Sequence, residues 1–277
     1  MGESSIRIED MNYFQFLAWL GIGSSHPGGF PATRRNLELL EVKKEDYVLD
    51  AGCGSGLTAC HLAKNVGCRI VGIDIMPEMV EKARQRAERE NVSGLVEFRV
   101  ADVTNLPFAR GSFDLAMAES VTVFLDKVKV YRQFYRVLKP GGRLADLEMA
   151  VINDLSPELK EQLHFYYGRG TDPLTFQGWV DALTEAGFEY TGILNPQANK
   201  INSGLLLQEL KKDWIFVKDL AQKVSEQPGI LPRLQNNAGF MRKNQGYFCY
   251  GLITGRKPLG SELNLFDRVK RSLFGGG

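Results

Sequence analysis

At 277 residues, 44% hydrophobic and 24% charged with a formal net charge of +1, the chain can bury a full α/β core. These values exclude disordered, fibrous and strongly polybasic classes. No apolar stretch reaches transmembrane length, and MGESSIRIED at the start lacks the basic end and apolar core of a secretory signal. Cys53, Cys60, Cys68 and Cys249 form no CxxC pair and no zinc spacing, so the expectation is reduced thiols in a cytoplasmic protein, without a metal.

Residues 1–44 carry Tyr13, Phe14, Phe16 and Trp19, aromatics that pack a core or wall an apolar pocket, and the turn-rich SSHPGGFPAT around His26. His26 titrates in the range useful to a general base; a loop histidine with a backbone partner is the plainer reading. A first strand over 47–50 then runs straight into VLDAGCGSG, with Gly52, Gly54 and Gly56 ahead of a helix from Leu57 to about Asn65. Missing side chains behind a strand let a ligand lie on bare backbone, and the free amides of the helix start add positive potential.

Alternation continues. Strands are expected at 69–74, 96–100, 113–118 and 143–149. Between them come a helix opening at Pro77 with Met79, Val80, Ala83 and Ala87 on one face, and another carrying Val128, Tyr131, Phe134, Tyr135 and Leu138 that stops at Pro140-Gly141-Gly142. Such βαβ units imply a parallel, doubly wound sheet over about 45–150. Further on, TFQGWVDALTEAGF gives a helix capped by Thr175 with Phe176, Val180 and Leu183 inward and Gly187 as its stop, leading to a strand near 190–194. A second amphipathic helix with Leu206, Leu210, Trp214 and Val217 on one stripe precedes a late strand in GYFCYGLITGRK. His164, among aromatics, reads as a buried histidine with one hydrogen bond. The basic and apolar 264–274 segment packs on the domain or forms a tail.

Three acids shape the ligand. Asp50 ends the first strand, where it suits an ammonium; Asp74 ends RIVGID, where a carboxylate accepts from both hydroxyls of a ribose; Asp102 in VADVTNLPF can accept from an exocyclic amine such as that of adenine. Gly54, Gly56 and Ala59 also satisfy the GxGxxA dinucleotide pattern, and Asp74 suits that ligand too, so a dehydrogenase stays open at this point. An amine, a ribose and an adenine together describe S-adenosylmethionine.

In order and spacing, VLDAGCGSG, VGIDIMPEMVEKAR, VADVTNLPFARGSFDLAMAES and YRVLKPGGRL resemble the class I S-adenosylmethionine-dependent methyltransferases, closest to the small-molecule branch of ubiquinone and menaquinone biosynthesis type. The resemblance implies a Rossmann-like seven-stranded sheet with helices on both faces and a helical cap from the N-terminus and C-terminal insertions. It divides the chain into a cap segment 1–44, a donor-binding core 45–150, late strands with cap insertions 151–260, and a tail 261–277. It assigns the methionine portion to Asp50 and the backbone around Gly52, Cys53 and Gly54, the ribose to Asp74, and the adenine to Ile75, Met76, Asp102 and Val103, with Ala51 and Gly56 also in the cofactor site. Ala118 and Glu119 would line the floor near the sulfonium, with Glu119 and His26 as catalytic candidates.

The expected activity is transfer of a methyl group to a small-molecule acceptor by in-line displacement, with S-adenosylhomocysteine as product. A nucleic-acid methyltransferase and a non-catalytic donor-binding protein are the alternatives. Against the first, AESV follows the fourth strand instead of an Asn/Asp-Pro-Pro-aromatic signature, and there is no basic stripe. No nucleic-acid partner and no stable membrane insertion are expected.

Overall fold

The computed structural model describes residues 8, 11, 13–20, 28–198 and 214–259. Helices α1 (Tyr13–Leu20) and α2 (Gly29–Leu40) precede an alternating run. It comprises β1 (Tyr47–Ala51), α3 (Leu57–Asn65), β2 (Arg69–Asp74), α4 (Pro77–Arg89), β3 (Val96–Val100), β4 (Phe113–Glu119), α5 (Lys127–Val137) and β5 (Leu138–Val151). The chain continues through α6 (Pro157–Tyr167), α7 (Phe176–Glu185), β6 (Glu189–Ala198), α8 (Trp214–Glu226), α9 (Ile230–Asn244) and β7 (Phe248–Arg256).

The strands form one seven-stranded sheet in the order β3-β2-β1-β4-β5-β7-β6. β1 to β5 pair in parallel, while β7 runs antiparallel to both β5 and β6. Strand order reverses at β1, whose neighbours are β2 and β4, so a crevice opens at the C-terminal ends of β1 and β4. That is where the glycine loop begins.

Pleating sends alternate side chains to opposite faces, and two apolar layers result. One takes Leu49, Ala51, Ala116 and Ala118 with Tyr131 and Phe134 of α5 and Trp179 of α7. The other takes Val48, Leu115, Met117 and Leu147 with Leu37 of α2, Leu62 of α3 and Val80 of α4. A smaller cluster joins Phe16, Leu17 and Leu20 of α1 to Leu220 of α8 and Ile230 of α9. Helix starts follow local chemistry: Pro77 opens α4, and the side chains of Asp126, Ser156 and Thr175 accept from the amides of Lys129, Leu159 and Gly178.

Several boundaries and faces differ from expectation. α5 ends at Val137, and Leu138 already belongs to β5, because its backbone turns extended (φ -72, ψ 142) and it pairs with Phe113 of β4. In α7 the stripe rotates: Trp179 and Leu183 are fully buried while Val180 is half-buried, because the Trp179 Nε1 donates to Met149 O at 3.2 Å and draws the indole inward. Leu206 and Leu210 lie outside the described residues, and so do His26 and the 264–274 segment. Val217 stands half-buried on α8. His164 is half-buried and its Nε2 has no hydrogen-bond partner among the described residues.

Candidate functional site

The turn after β1 is bent back over the end of β2. Gly52 N and Cys53 N both donate to Ile73 O, at 2.7 and 2.8 Å, which forces Gly52 to φ +76. Its missing side chain also admits a neighbour: a Cβ on Gly52 would lie 2.2 Å from Val121 Cγ2. Gly54, at φ +52, differs in that a Cβ there would meet only Met79 Cε, at an ordinary 3.8 Å, so no close packing fills the space over it. Gly56 is closed in by Phe98 and Ala83. The glycines thus divide the work: Gly52 and Gly56 permit close packing, and Gly54 presents backbone to the crevice.

Asp74 clamps this turn to the next. Its Oδ2 accepts from Gly54 N at 3.0 Å and its Oδ1 from Met76 N at 2.9 Å. Burial pushes its pKa above the usual carboxylate range against the pull of those amides. A carboxylate can accept about four hydrogen bonds, so room remains on Asp74 for a ribose hydroxyl. Asp50 is more extreme. It is 3% exposed, its Oδ2 has no hydrogen-bond partner among the described residues, and burial with the charges of Glu119 and Asp74 pushes its pKa well up. A carboxylate oxygen orphaned among other acids calls for a cationic group.

Glu119 sits at the end of β4, and both its oxygens are taken by hydroxyls. Thr33 Oγ1 of α2 donates to Oε1 and Thr58 Oγ1 of α3 to Oε2, each at 2.7 Å. The acid ties the N-terminal helix α2 to the helix that follows the glycine loop. Cys53 is buried beside Asp50 and Asp74, and burial with those charges raises its thiol pKa well above normal, so it is a poor nucleophile.

On the β3 side, Asp102 Oδ1 accepts from Thr104 N at 2.7 Å and caps the short turn Val103–Asn105; Asp102 is exposed and Val103 buried. Ile75 is 68% exposed and Val100 51% exposed at the C-terminal ends of β2 and β3, apolar surface available to a flat ring. Ala51 and Ala118 point into the core with no exposed side chain, so only their backbone can meet a ligand. Tyr13 meets Tyr167 of α6 edge-on at 4.7 Å, Tyr166 stacks on Phe240 at 4.8 Å and Phe16 is buried, so these aromatics serve packing, whereas Phe165 is exposed.

The structure brings Asp50, Asp74, Glu119 and the glycine loop together at one crevice. It adds residues that the sequence reading missed. Thr33 and Thr58 hold Glu119, Val121 fills the space over Gly52, and Arg86 Nε donates to Ser55 O at 2.9 Å, pinning the loop from α4. Asp146 and Glu148, fully buried on β5, were also missed. The signal for these two was present, since RLADLEMAV is an apolar strand broken by acids two residues apart.

Residues 49–145 match the family model described as a methyltransferase domain. Over 245 residues the chain is 32% identical to the uncharacterized methyltransferase YodH of Bacillus subtilis (strain 168), covering 88% of this chain and 99% of that protein. Over 114 residues it is 40% identical to the 27-O-demethylrifamycin SV methyltransferase of Amycolatopsis mediterranei (strain S699), covering 41% of this chain and 42% of the relative. A solved phosphoethanolamine N-methyltransferase 2 of Haemonchus contortus superposes with TM-score 0.69 at 20% identity, over 88% of this chain and 57% of that one. At that identity the likeness speaks to the fold.

Proposed function

Since the chain belongs to the class I S-adenosylmethionine-dependent methyltransferases, we propose that it transfers the donor's methyl group to a small-molecule acceptor by in-line displacement. Asp50 carries the reading: a buried carboxylate with an orphaned oxygen fits the donor's ammonium. Gly54 supports it, because its amide is tied to Asp74 and a Cβ there would meet nothing nearer than Met79 Cε at 3.8 Å, so the loop backbone is uncrowded where the methionine chain would lie.

S-adenosylmethionine supplies a methyl already activated on a positive sulfur. The chain's part is to bind, orient and exclude water. Asp50 would hold the ammonium, Asp74 the ribose hydroxyls, and Asp102 the adenine amine, with Ile75 and Met76 against the ring. Glu119, tied by Thr33 and Thr58, would hold α2 over the crevice and leave proton removal to another group. A small acceptor is supported by the near-neutral charge of the chain and by relatives whose names specify a rifamycin and a phosphoethanolamine substrate. No described helix is long and apolar enough to cross a membrane.

Calorimetric titration with S-adenosylmethionine, S-adenosylhomocysteine and NAD tests the donor. Micromolar binding of the two sulfur nucleotides and none of NAD is expected, and binding of NAD alone would overturn the reading. Transfer of labelled methyl from the donor to candidate small acceptors, with RNA and DNA as controls, tests the acceptor class.

A further inference from the structure

The buried carboxyl of Glu148 collects three backbone amides on a single oxygen. Val121 N, Thr122 N and Val123 N donate to Oε1 at 2.8, 2.6 and 3.3 Å. These amides belong to the turn that leaves β4, where Ser120 adopts φ +56 and Thr122–Phe124 forms a short 3-10 helix. A non-glycine residue in that conformation needs its surroundings to hold it. Lys127 Nζ and Asp172 N hold the far end of the turn through Val123 O, at 3.2 and 3.0 Å. The near end presses on the glycine loop, since Val121 Cγ2 occupies the space beside Gly52.

We propose that Glu148 is a positioning residue: its carboxyl sets the backbone of the turn at 121–123 and, through the Val121 side chain packed on Gly52, the shape of the donor-binding loop. The proposal rests on the reading of residues 50–56 as the donor site and adds a residue whose own bonds go to the turn.

Asp146 shares this buried site, with the Lys127 charge acting on the pair. It stands two residues away on the same face of β5, fully buried, with Oδ2 accepting from Tyr131 Oη at 2.9 Å. Burial lifts Asp146 to about 7, and burial together with the Asp146 charge lifts Glu148 well above the carboxylate range. The pair therefore keeps a proton at neutral pH. Glu148 can use one oxygen as a carbonyl acceptor for the amides and the other as a hydroxyl directed at Asp146, an arrangement that glutamine reproduces in shape and hydrogen bonding.

The test is calorimetric titration with S-adenosylhomocysteine, alongside melting temperatures, on the wild type, Glu148→Ala, Glu148→Gln and Val121→Ala. Glu148→Ala is expected to weaken binding about tenfold, while Glu148→Gln stays within about threefold of wild type. Val121→Ala, which keeps the carboxyl and removes the contact on Gly52, is expected to weaken binding several-fold, and it decides the matter if Glu148→Ala does not fold. Wild-type affinity in folded Glu148→Ala or in Val121→Ala would overturn the coupling, as would equal loss in the alanine and glutamine variants. A wild-type protein that binds no S-adenosylhomocysteine would instead overturn the donor-site reading.

Discussion

Asp50 combines 3% exposure, an oxygen without a hydrogen-bond partner among the described residues and two acidic neighbours, and each of these favours its protonated form. If Asp50 holds the donor's ammonium, that contact favours the opposite form, and binding drives a proton off. Donor affinity is then expected to rise with pH across the interval in which free Asp50 titrates. At neutral pH, titration with S-adenosylhomocysteine in buffers of different ionisation enthalpy should show proton release, and Asp50→Asn should abolish the difference between buffers. Identical heats in all buffers for the wild type would remove the ammonium role. With Asp74 on the ribose hydroxyls, Asp74→Ala is expected to cost about 1–3 kcal/mol in donor affinity, because a hydrogen-bond partner of the donor is lost; unchanged affinity would sink that role. With Glu119 as a tie between α2 and α3, Glu119→Gln lowers donor affinity and turnover together. A fall in kcat with intact affinity would return Glu119 to the chemistry. The acids were legible in sequence because each ends or follows a strand, a position that the alternation of elements fixes. Thr33 was not, for it lies 86 residues from Glu119 and only the packed fold brings them together.

At the scale of elements, the glycine loop and the turn after β4 form one packed unit. Gly52→Ala adds a left-handed strain and a clash with Val121, together about 2–4 kcal/mol of lost stability. Val121→Ala in the same chain removes the clash and leaves the strain. The double variant should therefore melt above Gly52→Ala alone, and purely additive losses would show that the two residues do not compete for the space. The elements themselves were readable wherever a boundary has local chemistry: α3 and α4 begin where Gly56 and Pro77 dictate. Faces were less so. The α7 pattern Phe176, Val180, Leu183 reads as a stripe by spacing, yet the indole of Trp179 wins the core through its size and its bond to Met149 O. The end of α5 was misjudged for a similar reason, since Leu138 fits the helical spacing but pairs with Phe113 in the sheet.

For the molecule as a whole, the buried acids of β5 make stability depend on pH. Asp146 is raised to about 7 in the folded state, so its contribution is complete below about pH 4 and is lost as pH climbs towards 7. Melting temperature should decline over that window in the wild type and decline less in Asp146→Asn; parallel curves would mean that the pair does not titrate with folding. The two layers flanking the sheet bind β1 to β5 into one core, whereas α1, α8 and α9 share a separate, smaller cluster. Amide exchange should accordingly be faster in α1 and α8 than in β1 and β4. The position of β7 has a consequence for synthesis on the ribosome. Among the described strands β6 pairs with β7 alone, and β7 pairs with β5 across separations such as Arg143 to Arg256. While the chain is still emerging, β1 to β5 can assemble in order, but β6 must wait without a sheet partner until the segment at 248–256 clears the exit tunnel. A nascent chain halted before Phe248 would therefore lack two strands of the sheet, one unsynthesised and one stranded at an open edge.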